Sequence, residues 1–167
     1  MKNIISVGLI LFSLTIIGFQ IAKRIQFEQN ITGYLKHAAD ANTIELAEEE
    51  LTKVVNFLEA NNMTEGYTSI LWETPDEDIG FWYRNLKASQ QELQNLEATT
   101  PLEKTNVLIK LRETLLDTGK RTRVTVPDGL KVYPNNALWA GLSWAALIAM
   151  FVGLGLLIPK DGTVKAE

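Results

Sequence analysis

Four carboxylates fall within six positions of this sequence, Glu73, Asp76, Glu77 and Asp78, and four aromatic side chains bracket them: Trp72, Phe81, Trp82 and Tyr83. Carboxylates this close together can exchange protons with a substrate or hold calcium. Their spacing is not that of a calcium loop, however, and no glutamate stands at the far end where such a loop needs its bidentate ligand. Helix capping accounts for two of the four, because Thr74-Pro75-Asp76-Glu77 is a helix start and acids there face the positive end of the helix dipole. No metal is expected. The aromatic group is a candidate partner or ligand surface: at about 100° per helical residue, Phe81, Trp82 and Tyr83 cannot all face one core.

The remaining chemistry-bearing residues are sparse. The chain has no cysteine, so a zinc-thiolate site, a thiolate nucleophile and a disulfide framework are all excluded, and His37, the single histidine, is expected on the surface without a catalytic or metal role. A nucleophile elbow, a zinc-protease helix motif, a phosphate-cradling glycine loop and a dinucleotide fingerprint are absent from the sequence, and neither an enzyme nor a cofactor is expected. From Lys23 to Pro134 there are 13 Lys and Arg against 18 Asp and Glu, a net −5, which argues against a nucleic-acid surface. Basic residues nonetheless gather at the two ends of that segment: Lys23 and Arg24 at one, Lys120, Arg121, Arg123 and Lys131 at the other. They are read as a membrane-proximal cluster for acidic lipid headgroups or a protein contact.

Two apolar stretches must position all of this. Ala137 to Pro159 is 23 residues without a charge, enough to cross the roughly 30 Å hydrocarbon core. Trp139 and Trp144 lie toward one boundary, where interfacial aromatics belong. Within it Gly141, Ala145, Ala149 and Gly153 recur every fourth residue, a small-residue stripe expected to pack on the first apolar helix or on another subunit. The first stretch, Asn3 to Ala22, is uncharged and followed by Lys23-Arg24. It lacks a small-residue cleavage site and is read as an uncleaved signal anchor. The expected partners are therefore the lipid bilayer and a protein partner or second copy held through the membrane helices; a small ligand is a further candidate.

Between the anchors, apolar residues recur at helical spacing with start and stop signals. Helices are expected over about 23–41, 43–61, 75–97 and 101–118, the second capped by Asn42 and the fourth by the box Thr100 to Glu103. A short strand is expected at Tyr67 to Trp72, and Arg121 to Pro134 reads as two β-like runs turning at Pro127-Asp128-Gly129. The fold class is all-α: two transmembrane helices (1–22 and 137–159) around an antiparallel bundle of about four helices (23–118), a membrane-proximal β-like connector (119–136) and a short tail (160–167).

An even helix count returns the chain to the membrane. The layout resembles the extracytoplasmic helical bundle of bacterial membrane sensors, on the order of segments and on no motif, and the segment PKDGTVKAE after Ile158 holds no signalling module. Counting Lys and Arg near the ends places the middle segment in the cytoplasm; segments longer than about 60 residues escape that rule, and the signal-anchor head favours an extracytoplasmic bundle in a bacterial inner membrane. The function expected is non-enzymatic: protein interaction or assembly at the membrane. The alternative is a ligand-sensing subunit acting through a separate signalling partner.

Overall fold

The computed structural model describes residues 1–96, 100–119 and 121–158. The chain is predominantly helical, with little sheet. Its elements are α1 (Lys2–Phe27), a π-helical turn (Glu28–Thr32), α2 (Gly33–Asp40), α3 (Ile44–Ala60), α4 (Ile79–Gln94), α5 (Pro101–Leu115), β1 (Leu116–Asp117), β2 (Arg123–Val124) and α6 (Asn136–Leu157). They divide into two compact units, Met1–Lys23 with Ala137–Glu167, and Arg24–Asn136.

The first unit contains the start of one long apolar helical run and nearly all of the other. Lys2–Asp40, through the π turn, and Asn136–Leu157 are each long and apolar enough to cross a membrane. The 22 residues of α6 reach about 33 Å at about 1.5 Å per residue. Within the unit the two segments run antiparallel, since Lys2 Nζ lies 3.5 Å from the Ile158 carbonyl while Gln20 meets Ser143.

In the second unit, helix boundaries follow from side chains that satisfy exposed backbone N–H groups. The cap of α3 is Thr43, whose hydroxyl accepts from Leu46 N at 3.3 Å, rather than the expected Asn42. Thr74 starts only a three-residue 3-10 turn, Pro75–Glu77; α4 begins later, where Asp78 Oδ1 accepts from Phe81 N at 2.9 Å. A full capping box opens α5: Glu103 N donates to Thr100 Oγ1 at 3.4 Å and Thr100 N to Glu103 Oε2 at 2.8 Å.

One apolar core joins these helices. Ile31, Leu35 and Ala38, then Ala47, Leu51, Val54, Val55 and Leu58 of α3, are 0–1% exposed. Ile79, Trp82, Leu86 and Leu93 of α4 and Leu111 and Leu115 of α5 close over them. At roughly 25 cal/mol per Å² of apolar area, this burial is the chief stabilising contribution, and polar ties add register: Gln90 Nε2 donates to Thr52 Oγ1 at 2.9 Å.

The extended segments differ from expectation. β1 and β2 pair antiparallel with Leu116 opposite Val124, so the hairpin precedes Pro127 and Leu116 leaves the helix it was assigned to. Beyond Pro127, Gly129 takes a left-handed φ of 84° and Leu130–Val132 forms a 3-10 turn instead of a second strand. Proline removes the ladder donor and Leu130, fully buried, is drawn into the core. The strand expected at Tyr67 to Trp72 is reduced to one bridge, Tyr67 to Asp78.

Candidate functional site

The Tyr67 bridge is part of a clamp that sets the start of α4. Thr68 N donates to Glu77 O at 3.0 Å and Ile79 N to Gly66 O at 2.9 Å. Gly66 has φ 93°, and Tyr133 Oη lies 2.6 Å from where its Cβ would stand, donating to Glu65 O at 3.0 Å. Glycine is required there on both counts.

The four aromatic residues meet different surroundings. Trp82 is buried and its indole N–H donates to the Thr125 carbonyl at 2.8 Å, tying α4 to the segment after β2. Tyr83 is half-buried, and its hydroxyl donates to Glu59 Oε1 at 2.6 Å. That carboxylate also receives Lys87 Nζ at 2.9 Å. The Tyr83 hydroxyl bond, followed by the Lys87 ammonium, holds the Glu59 carboxyl below the usual range, and the same bond pushes the Tyr83 phenol up to about 12. Phe81 is 57% exposed and Trp72 75% exposed. Ile70 and Leu71, beside Trp72, are 53% and 76% exposed, an apolar run that the sequence alone leads one to expect in the headgroup zone or in a membrane-proximal cap.

Phe81 and Trp82 line a cleft of about 630 Å³ between the 74–78 segment with α4 on one side and the 123–128 segment on the other. Asn85, Leu86, Thr114 and Asp117 complete its walls. Trp72 and Tyr83 are not among its lining residues. Of the acids, Asp78 is spent on its cap and Glu77 is hydrogen-bonded to Thr74, while Glu73 and Asp76 are exposed. No group of three His, Asp or Glu able to hold a metal occurs among the described residues.

His37 is on the surface, its Nδ1 3.1 Å from Glu50 Oε2. Hydrogen bonds from Lys53 and then from His37 hold the Glu50 carboxyl below the usual range. Lys23 and Arg24 are exposed on α1; Arg121, Arg123 and Lys131 are exposed in the connector; Lys120 lies outside the described residues. Lys23 belongs to one compact unit and the remaining described basic residues to the other.

The small-residue stripe is divided as well. Ala149 and Gly153 are buried, but Gly141 and Ala145 are exposed, and a Cβ on Gly141 would meet nothing within 4 Å. The packed positions of α6 include Trp139, Leu142, Ala146, Ala149, Gly153 and Leu156, alternating three and four residues apart, with Ala140 and Met150 half-buried at the flanks, and those of α1 include Ser6, Leu9, Ser13, Ile16 and Gln20 in the same rhythm, with Ile10 half-buried beside Leu9. That 3.5-residue average keeps a seam facing an antiparallel neighbour, whereas a strict four-residue step drifts about 40° each time. The seam is polar at one-heptad intervals. Ser6 Oγ donates to Gly153 O at 2.6 Å, Ser13 Oγ to Ala146 O at 2.8 Å, and Gln20 Nε2 to Ser143 Oγ at 2.6 Å.

No family model matches the chain, and no curated protein or solved structure does either.

Proposed function

We propose that this chain is a non-enzymatic, two-span membrane protein whose helical domain, an antiparallel bundle, docks a protein partner. The observation that carries this reading is the run Ile70, Leu71 and Trp72, each more than half exposed on the connector between α3 and α4. Consecutive large apolar side chains open to water mark a surface that is covered by something else, and tryptophan is enriched at the energetic centres of interfaces. The two long apolar helices supply the membrane attachment. The exposed face of α6 carrying Gly141 and Ala145 offers close approach to a second copy or a partner's helix, and the exposed Arg121, Arg123 and Lys131 contact acidic headgroups or the partner. In this reading the membrane is a bacterial inner membrane and the domain is extracytoplasmic.

The test is purification in mild detergent with crosslinking and mass spectrometry, comparing wild type with Leu71→Asp and with Gly141→Leu. A defined partner that disappears with Leu71→Asp, while helical content is retained, supports docking through the connector. A second copy lost with Gly141→Leu supports assembly through α6. A solitary chain unaltered by either change overturns the reading. The cleft lined by Phe81 and Trp82 favours a second reading, a ligand-sensing subunit that acts through a separate signalling protein.

A further inference from the structure

The cleft between the start of α4 and the 123–128 segment has the size of a small-molecule site, since about 630 Å³ falls within the roughly 300–1,000 Å³ typical of such sites. Its apolar surface comes from Phe81, Trp82, Val124 and Val126. An exposed phenyl ring is a face on which a cation or an aromatic body can rest.

The charged groups that line that surface are mostly acidic, while the Arg84 guanidinium stands outside the lining near Asp78, Arg84 Nη1 and Asp78 Oδ1 being 3.3 and 3.2 Å from the point a Cβ on Gly80 would occupy. Five carboxylates line the cleft, Asp76, Glu77, Asp78, Asp117 and Asp128, against one guanidinium, Arg123. Among the described residues none of the five lies within 4.0 Å of a cationic nitrogen. Asp78, Glu77 and Asp117 are partly engaged, by Phe81 N, Thr74 and Gly119 N respectively; Asp76 and Asp128 make no side-chain hydrogen bond among the described residues. The one indole N–H in the wall is already given to Thr125 O. The cleft thus presents acceptors and negative charge over an apolar floor, and the complementary occupant must bring donors, positive charge and an apolar body.

We infer that this cleft binds a small amphipathic organic cation, a primary ammonium group on an aromatic or aliphatic body, with the body against Phe81 and the ammonium at Asp76 and Asp128. The inference rests on the ligand-sensing reading alone: failure to capture a protein partner leaves it standing, and failure to bind a cation leaves the docking reading standing.

The probe is phenethylammonium, titrated calorimetrically into the full chain in neutral detergent micelles, with phenethyl alcohol and phenylpropionate as neutral and anionic compounds of similar shape. The same micelles holding an Asp76→Asn/Asp128→Asn double variant cancel partitioning into detergent. Because neither carboxylate makes a hydrogen bond within the described residues, the double variant is expected to keep the wild-type circular dichroism and melting midpoint. If it does not, Asp128→Asn alone and a salt titration of the wild type take its place.

The expected result is saturable binding of the ammonium about five- to tenfold tighter than of the alcohol, weakened about as much by the double variant and by added salt. Equal binding of ammonium and alcohol, indifference to the double variant, or no saturable heat at millimolar ammonium overturns the inference. Binding of a lysine-rich peptide without binding of the small ammonium also overturns it, in favour of a basic protein segment.

Discussion

The Ser6 hydroxyl donates to the Gly153 carbonyl at 2.6 Å, and one heptad further along α1 the Ser13 hydroxyl does the same to the Ala146 carbonyl at 2.8 Å. Both serines are fully buried in the seam between the two long apolar helices. Close approach is what makes these bonds: a Cβ on Gly153 would stand 2.9 Å from Ile10 Cγ1 and 3.2 Å from Ser6 O.

Gly153→Leu should therefore separate the helices within one chain, whereas Gly141→Leu, which meets open space, should not. Overpacking at Gly153 is expected to cost about 1–3 kcal/mol. The chain has no native cysteine, so disulfide trapping between Ser13→Cys and Ala146→Cys reads the pairing directly. Gly153→Leu should lower the yield severalfold and Gly141→Leu leave it unchanged. Separately, Ser6→Ala in the cysteine-free chain should weaken the pairing by about 0.6 kcal/mol, a typical hydrogen bond between helices in lipid.

Trp82→Phe keeps most of the apolar contact of a buried side chain but removes the donor to the Thr125 carbonyl. The expected loss is about 1–3 kcal/mol, the cost of leaving a polar group without its partner, read as a lower urea midpoint. The segment 123–128 should show faster amide exchange in the variant than the core of α3.

Gly66→Ala should destabilise the domain by more than about 1 kcal/mol, because φ of 93° strains any side chain and the Tyr133 hydroxyl fills the Cβ position. If Tyr133 were the whole cause, Tyr133→Phe would rescue the alanine variant completely. Partial rescue is expected, since the left-handed backbone remains.

The Tyr83–Glu59 pair gives stability a pH dependence with a defined sign. The phenol is raised in the folded chain to about 12 from about 10 when unfolded. The unfolded state releases its proton first, so the contribution of this group is full below about pH 10 and is lost as pH rises through about 12. The depressed Glu59 carboxyl acts oppositely: its contribution is present above the ordinary glutamate range and is lost as pH falls through its lowered value. Tyr83→Phe should flatten the alkaline decline in melting midpoint and cost about 1 kcal/mol at neutral pH for the lost hydrogen bond.

The sequence by itself determined which parts are helical and which are long and apolar enough to cross a membrane, because both depend on local period, run length and capping chemistry. Thr100 and Glu103 box the start of α5 as their spacing dictates, and Ala47, Leu51, Val54, Val55 and Leu58 share one buried face of α3. Tertiary structure decided what periodicity cannot rank. Gly141 and Ala145 lie on the same four-residue stripe as Gly153, yet only the antiparallel neighbour selects the three-and-four rhythm and turns those two outward. Pro75 marks a helix start that Asp78 supplants, because the Gly66–Thr68 clamp holds residues 77–79 by their backbone. The cleft joins the acids of 74–78 to a segment some fifty positions later, and such proximity arises only when Trp82 and Thr125 meet across the fold.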